Sequence, residues 1–288
     1  MTECQNNKSN KQVVLTEADL CRLVPFFTTR LGRICKKPIL HLLAVDKVNA
    51  LYGRCCHARG YRFSTLLLDD LKITPKIINP EMLEQFPQSG FITVSNHPFG
   101  AIDGIALISV FGSIRPDYKV MVNSLLNYIE AMSPNFIAVE PYVTKKGSRV
   151  NMQGIKDTLV HLKEGHPMGF FPAGGVSKIQ HNLRIQDKPW AENVIRLIQL
   201  AKLPVIPVYF HGHNTLFFYL LGMISWRIRT LRLIPEVFHA RGRTLCISLG
   251  EPIPVEVLQK YAQPSDLGAF LRSKTYETGH LNCKRKER

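Results

Sequence analysis

The chain has 288 residues, 45% of them hydrophobic, and 37 Lys and Arg against 22 Asp and Glu give it a formal charge of +15. That length and apolar content make a globular chain of one large or two small domains the default, and the charge calls for an anionic neighbour, either nucleic acid or an anionic bilayer. No run approaches the ~20 apolar residues needed to span a bilayer, and seven cysteines without Cys-x-x-Cys spacing exclude a paired disulfide framework and point to reduced thiols in the cytosol.

The first dozen residues, MTECQNNKSNKQ, lack the apolar stretch of a secretion signal and read as a solvated tail, so export is not expected. The segment 16–78 is predicted to be helical, with two or three short amphipathic helices up to Gly60 broken by Pro25 and Pro38. Residues 79–257 then alternate short apolar runs with helical patterns. Strands are predicted in GFITVS, at 118–122, 135–140, 168–174, 204–212 and 243–250, and helices at 102–110, 125–131, 150–164 and 190–201. This order predicts an α/β fold, a mixed sheet flanked by helices, with reactive loops past the strand ends. From 258 onward a helical start gives way to a basic tail ending in KRKER.

The densest chemical signal is SNHPFGAIDG, residues 95–104. A histidine at the end of a buried strand, with a carboxylate six residues on at a helix start, can form a pair in which Asp103 fixes the tautomer of His97 and supports its positive charge. Such a histidine can take a proton from an alcohol. No serine or cysteine elbow accompanies it, so direct attack by an acceptor hydroxyl is the simpler chemistry. The same spacing also suits a turn cap at His97 and a helix cap at Asp103, and the residues alone do not choose.

This block resembles the His-and-Asp block of the lysophosphatidate and glycerol-phosphate acyltransferase family, and in particular a bacterial hemolysin-like branch, some members of which make amino-acid lipids. The family pattern has four residues between His and Asp, whereas this chain has five. A second block falls in EPYVTKKGSR, where Arg149, beside Lys145 and Lys146, suits an anionic headgroup. A third resembles FFPAGGVSK, residues 170–178, with Ala173 where the family has glutamate. Gly174 and Gly175 there allow close approach of a phosphate, and Ser177 and Lys178 add a hydroxyl and a charge. A fourth resembles VIPVYFHG, where in the family an apolar strand with an internal proline lines the acyl or donor site, a place that Pro207 fits. A proline inside a strand also signals an edge or a bulge. The four blocks lie in order across roughly residues 40–256.

The resemblance implies transfer of a fatty acyl group from acyl-coenzyme A or an acyl carrier protein to a lysolipid hydroxyl, by lysophosphatidate or lyso-amino-acid-lipid chemistry, with His97 as general base, Asp103 as its partner and Asn96 beside them. It implies no cofactor and no metal; His211 and His213 lack a third ligand. Past the fourth block, LFFYLLGMISW followed by Arg227, Arg229 and Arg232 suits shallow insertion at a bilayer, with Phe217, Phe218, Tyr219, Trp226 and Arg227 at the interface. The same stretch also reads as a buried core helix. The expectation is a peripheral, monotopic protein on the inner face of the cell membrane, in contact with the lipid surface, its lysolipid and an acyl carrier protein. An idle membrane-binding relative is the alternative. Nucleic acid is not an expected partner, since no binding module is recognisable and the aromatics sit in apolar stretches instead of among the basic residues.

Overall fold

The computed structural model describes residues 13–14, 16, 19, 28–30, 32, 34, 40–41, 43–140, 149–180 and 182–285. The tail expected over the first dozen residues and the breaks at Pro25 and Pro38 lie outside them.

Two helices, α1 (Val45–Cys55) and α2 (Tyr61–Asp70), lead into β1 (Thr74–Ile77), which sits on one edge of a seven-stranded sheet. The other strands of that sheet are β2 (Ile92–Ser95), β3 (Lys119–Asn123), β4 (Phe136–Val139), β5 (Met168–Phe170), β8 (Val205–Phe210) and β9 (Thr244–Leu249). Their spatial order is β1-β9-β8-β2-β5-β3-β4, and every neighbouring pair is parallel except β8 with β9. The fold is therefore α/β with a mixed sheet, as the alternating pattern predicts. β6 (Lys178–Ile179) and β7 (Ile185–Gln186) form a separate two-stranded ribbon.

Helices cover both faces, because a parallel strand buried on both sides needs apolar partners on each. On one face α2 and α3 (Ala101–Ile114) pack Phe63, Leu68, Ala106 and Phe111 against Ile206, Val208 and Phe210. On the other, α5 (Glu192–Ala201) and α9 (Pro264–Arg285) place Ile195, Ile198, Leu267 and Leu271 against Ile92, Val94 and Phe170. The remaining helices are α4 (Arg149–Lys163), α6 (Leu216–Ile224), α7 (Trp226–His239) and α8 (Val255–Leu258). At the sheet centre Thr93 and Tyr118 share a 2.6 Å hydroxyl hydrogen bond, and Gly169 is required beside it, since a Cβ there would overlap the Tyr118 hydroxyl.

Some expectations change. The stretch predicted as a helix at 125–131 is two 3-10 turns, Ser124–Tyr128 and Glu130–Asn135, the first set by the Asn123 side chain accepting from Leu125 N–H and the second holding Pro134. The sheet reaches back to Thr74 and α9 packs on β8, so the structural unit overruns the expected 79–257 boundaries at both ends. Pro207 lies in an interior strand instead of at an edge: it registers with Val94 of β2, and its carbonyl accepts Gly250 N–H at 2.7 Å just past the end of β9, so the missing donor falls where that ladder stops.

Candidate active site

β2 is fully buried, its hydroxyl residues Thr93 and Ser95 alternating with Ile92 and Val94, and it delivers Asn96 and His97 to the carboxyl end of the sheet, where α/β folds place their reactive loops. Pro98 and Phe99 follow, and Gly100 turns the chain into α3 with φ of +79°, a conformation glycine adopts without penalty. A Cβ at Gly100 would also lie 2.9 Å from Leu233 Cδ2. The turn absorbs the fifth intervening residue: Asp103, in the first turn of α3, reaches back so that its Oδ2 stands 3.0 Å from His97 Nδ1. The same oxygen accepts the N–H groups of Phe99 and Gly100, each at 2.9 Å. The sequence left open whether Asp103 caps the helix or orients the histidine; it does both.

Asp103 is fully buried, and that burial pushes its pKa up against the opposing pull of His97 and the two amides. Its Oδ1 has no hydrogen-bond partner among the described residues. The His97 ring stacks on Phe171 with centroids 4.1 Å apart and keeps 17% of its side chain exposed. Among the described residues nothing hydrogen-bonds to its Nε2, so the outward nitrogen is open to an incoming proton donor. An imidazole placed in this way can take up a proton, and the buried carboxylate behind it can support the charge it gains.

Asp187 is a carboxylate that the sequence did not single out. It lies just after β7, ninety residues from His97, and is 1% exposed. Its Oδ1 accepts the His97 backbone N–H at 3.2 Å and the Ser177 hydroxyl at 2.5 Å, and its Oδ2 accepts Trp190 Nε1 at 3.4 Å. Tyr276 and Arg272 of α9 hold its own backbone N–H and carbonyl. Ser177 N–H in turn donates to the His97 carbonyl at 2.8 Å. Asp187 thus ties the histidine loop to the Gly174–Ser177 loop, and burial raises its pKa too. The signal available in the sequence was DKPW, a carboxylate three residues before a tryptophan at a helix start.

Several predicted binding residues are engaged elsewhere. Asn96 is 3% exposed, and its amide clasps β8, donating to Phe210 O at 3.0 Å and accepting Phe210 N–H at 2.7 Å, so it holds strands instead of substrate. Ser177 is 2% exposed with its hydroxyl committed to Asp187, which removes it as a ligand donor. Ala173 is fully buried in the apolar cluster with Phe170 and Trp190, where a glutamate carboxylate would have no solvent. Gly174, with φ of +61° and open space at its Cβ, Gly175 and Lys178 remain at the surface of the loop. Arg149 opens α4, but its side chain, like Lys145 and Lys146, lies outside the described residues.

The membrane-contact prediction is corrected for two residues. Phe218 and Tyr219 are buried, at 0% and 2% exposure, because they face inward from α6. The exposed face of that helix is Leu216, Phe217, Leu220, Met223 and Ile224. The side chains of Trp226 and Arg227 lie outside the described residues. No helix among the described residues is long and apolar enough to cross a membrane.

The sequence profile of the family described as Acyltransferase matches residues 74–281. At 30% identity over 252 residues, the chain is similar to a lyso-glycine lipid O-acyltransferase of Bacteroides thetaiotaomicron, with 84% of this chain and 87% of that protein covered. A second lyso-glycine lipid O-acyltransferase, from Phocaeicola vulgatus, is 27% identical over 245 residues, covering 82% and 85%. Among solved structures, a 1-acyl-sn-glycerophosphate acyltransferase from Thermotoga maritima superposes with a TM-score of 0.49 at 14% identity, over 90% of this chain and 92% of that one.

Proposed function

We propose, from the premise that this chain belongs to the acyltransferase family, that it moves a fatty acyl group from a thioester, acyl-coenzyme A or acyl carrier protein, onto the hydroxyl of a lysolipid at a membrane surface. The observation that carries the reading is the 3.0 Å contact between His97 Nδ1 and Asp103 Oδ2, with Nε2 open at the end of β2. Asp103 keeps the proton on Nδ1, which leaves Nε2 as the base. His97 Nε2 takes the proton of the acceptor hydroxyl as its oxygen attacks the thioester carbonyl carbon. Collapse of the tetrahedral intermediate breaks the C–S bond, and the proton passes from Nε2 to the leaving thiolate.

The relatives named for lyso-glycine lipids favour an amino-acid lysolipid as acceptor over lysophosphatidate. The exposed apolar face of α6, set in a chain of charge +15, supports shallow seating on the anionic inner leaflet of the cell membrane. A bilayer-seated enzyme reaches a lysolipid acceptor without extracting it into water. The test is acyl transfer from labelled acyl-coenzyme A and labelled acyl carrier protein to lyso-glycine lipid and lysophosphatidate in micelles. Wild type transfers to at least one acceptor, and His97→Ala, folded as judged by circular dichroism, falls to background. Vesicle binding without transfer to any pair would mark an idle membrane-binding relative instead.

A further inference from the structure

The ribbon of β6 and β7 closes on a tight turn. Gln180 N–H donates to Arg184 O and Leu183 N–H donates to Gln180 O, both at 2.9 Å, and the Asn182 side chain accepts Arg184 N–H at 3.1 Å. Leu183 stands at the tip with φ of +60°, the left-handed conformation that short hairpin turns ordinarily give to glycine or asparagine. A leucine is strained there. Its side chain is also 85% exposed, the highest value for a large hydrophobic residue among those described. The backbone disfavours this residue and the core does not bury it, so contact with an apolar medium outside the chain is what its side chain can serve.

Two further observations name that medium. The ribbon stands next to the apolar outer face of α6: Lys178 and Ile179 of β6 share a cleft with Gly222 and Met223 of that helix, and Met223 and Ile224 are 73% and 77% exposed. Leu183 is four residues along the ribbon from Ile179, at most ~14 Å of chain, so the tip and the helix can enter one apolar phase together. Charge supplies the second observation. Between 178 and 188 the exposed charges are Lys178, Arg184 and Lys188, whereas Asp187 is buried and turned inward to Ser177 and Trp190. An apolar tip with cations behind it suits an anionic bilayer, where apolar side chains reach the acyl boundary while lysine and arginine stay among the phosphates.

We propose that the β6–β7 hairpin is a second membrane contact, with Leu183 entering the surface of an anionic bilayer beside α6 and Arg184 and Lys188 resting on its headgroups. The proposal builds on the seating of α6 given above and adds orientation to it. One apolar contact leaves the molecule free to tilt on a surface, whereas two separate contacts fix which face it turns to the lipid.

Leu183→Asn separates this role from a structural one, because asparagine accepts the left-handed conformation and offers no apolar contact. The experiment measures partition onto sucrose-loaded vesicles of phosphatidylglycerol and phosphatidylcholine in equal parts, with thermal unfolding followed in the absence of lipid. The expected result is that Leu183→Asn melts no lower than wild type yet binds the vesicles about tenfold more weakly. Arg184→Gln combined with Lys188→Gln weakens binding at low salt and matches wild type at about 0.5 M salt, where surface charge is screened. Ile114→Ser, at the end of α3 remote from Asp103 and also exposed, leaves binding unchanged. Leu183→Asn binding as tightly as wild type, or an equal loss in Ile114→Ser, overturns the proposal. So does a wild-type dimer in sedimentation velocity that Leu183→Asn dissociates, since Leu183 then seats on a second copy of the chain. Binding lost in Phe217→Ser combined with Ile224→Ser but kept in Leu183→Asn removes the hairpin contact and leaves the α6 seating standing, whereas a wild type that binds no vesicle removes the seating itself.

Discussion

Asp103→Asn changes one charge and almost no shape, and its effect can be worked from the hydrogen bonds. Two backbone N–H groups and His97 Nδ1 converge on Oδ2, so the asparagine carbonyl oxygen must occupy that place and its amide nitrogen must take the position of Oδ1. The Nδ1–H tautomer keeps an acceptor, and Nε2 keeps its lone pair. What disappears is the attraction between carboxylate and the imidazolium formed when His97 takes the substrate proton. At a charge separation near 4 Å and an effective permittivity of about 20 this is roughly 4 kcal/mol, which corresponds to a fall of about 10³ in kcat. Stability should change little, since relief of the buried charge is set against an amide N–H left without an acceptor, a cost of about 1–3 kcal/mol. The assay is steady-state acyl transfer with KM for the acceptor measured alongside, and thermal unfolding as the control. A kcat within about fivefold of wild type, less than ~1 kcal/mol of barrier, in a protein of unchanged melting temperature would refute the general-base assignment.

Asp187→Asn loosens the clasp on the His97 N–H and the Ser177 hydroxyl without touching substrate; kcat should fall about tenfold while KM for donor and acceptor stays put, and steady-state kinetics separate the two. Gly100→Ala forces a side chain into positive φ and against Leu233, so chemical denaturation should show a loss of about 1–3 kcal/mol together with activity. Burial works to raise the Asp117 pKa, but the Arg115 and His166 contacts outweigh it and hold it at about 2. A carboxylate with a lowered folded-state pKa stabilises the fold above its unfolded value and loses that contribution as pH falls through the folded one. Asp117→Asn should therefore be less stable than wild type at pH 7, with the gap closing between about pH 4 and pH 2 in urea titrations. Phe217→Ser combined with Ile224→Ser, both on the exposed face of α6, should abolish flotation with anionic vesicles while leaving the melting temperature within ~1 °C, since surface changes contribute little to stability.

What the sequence disclosed follows from how each residue is constrained. Strands such as ITVS read clearly because parallel pairing on both sides buries every position. The edge strand TPKI did not, because one side lacks a neighbour, its burial only alternates, and Pro75 and Lys76 look like a loop. His97 and Asp103 were legible as a pair since six residues fit one strand-to-helix turn. Asp187 was not, because the contact that defines it closes over ninety residues. Asn96 and Ser177 were read as ligands from the blocks that resemble the family, and their polar groups are used inside the protein, on β8 and on Asp187.

The segment from Leu216 to Ile224 shows why composition could not assign its faces. Nearly every residue is apolar, so hydrophobicity carries no period, and an interfacial helix and a core helix are equally consistent with it. Geometry resolves this, because the segment is both. Leu216, Phe217, Leu220, Met223 and Ile224 fall at helical spacing on one outward face, whereas Phe218 and Tyr219 fall on the opposite one and are buried. The inward face ends at the carbonyl of Pro98, next to His97, and the outward face is the apolar surface proposed to meet the bilayer. One nine-residue helix therefore stands between the proposed lipid surface and the loop that carries His97, the proposed base. On that proposal, a lysolipid seated against the outward face crosses about the width of one helix, roughly 10 Å, to reach the loop that carries His97.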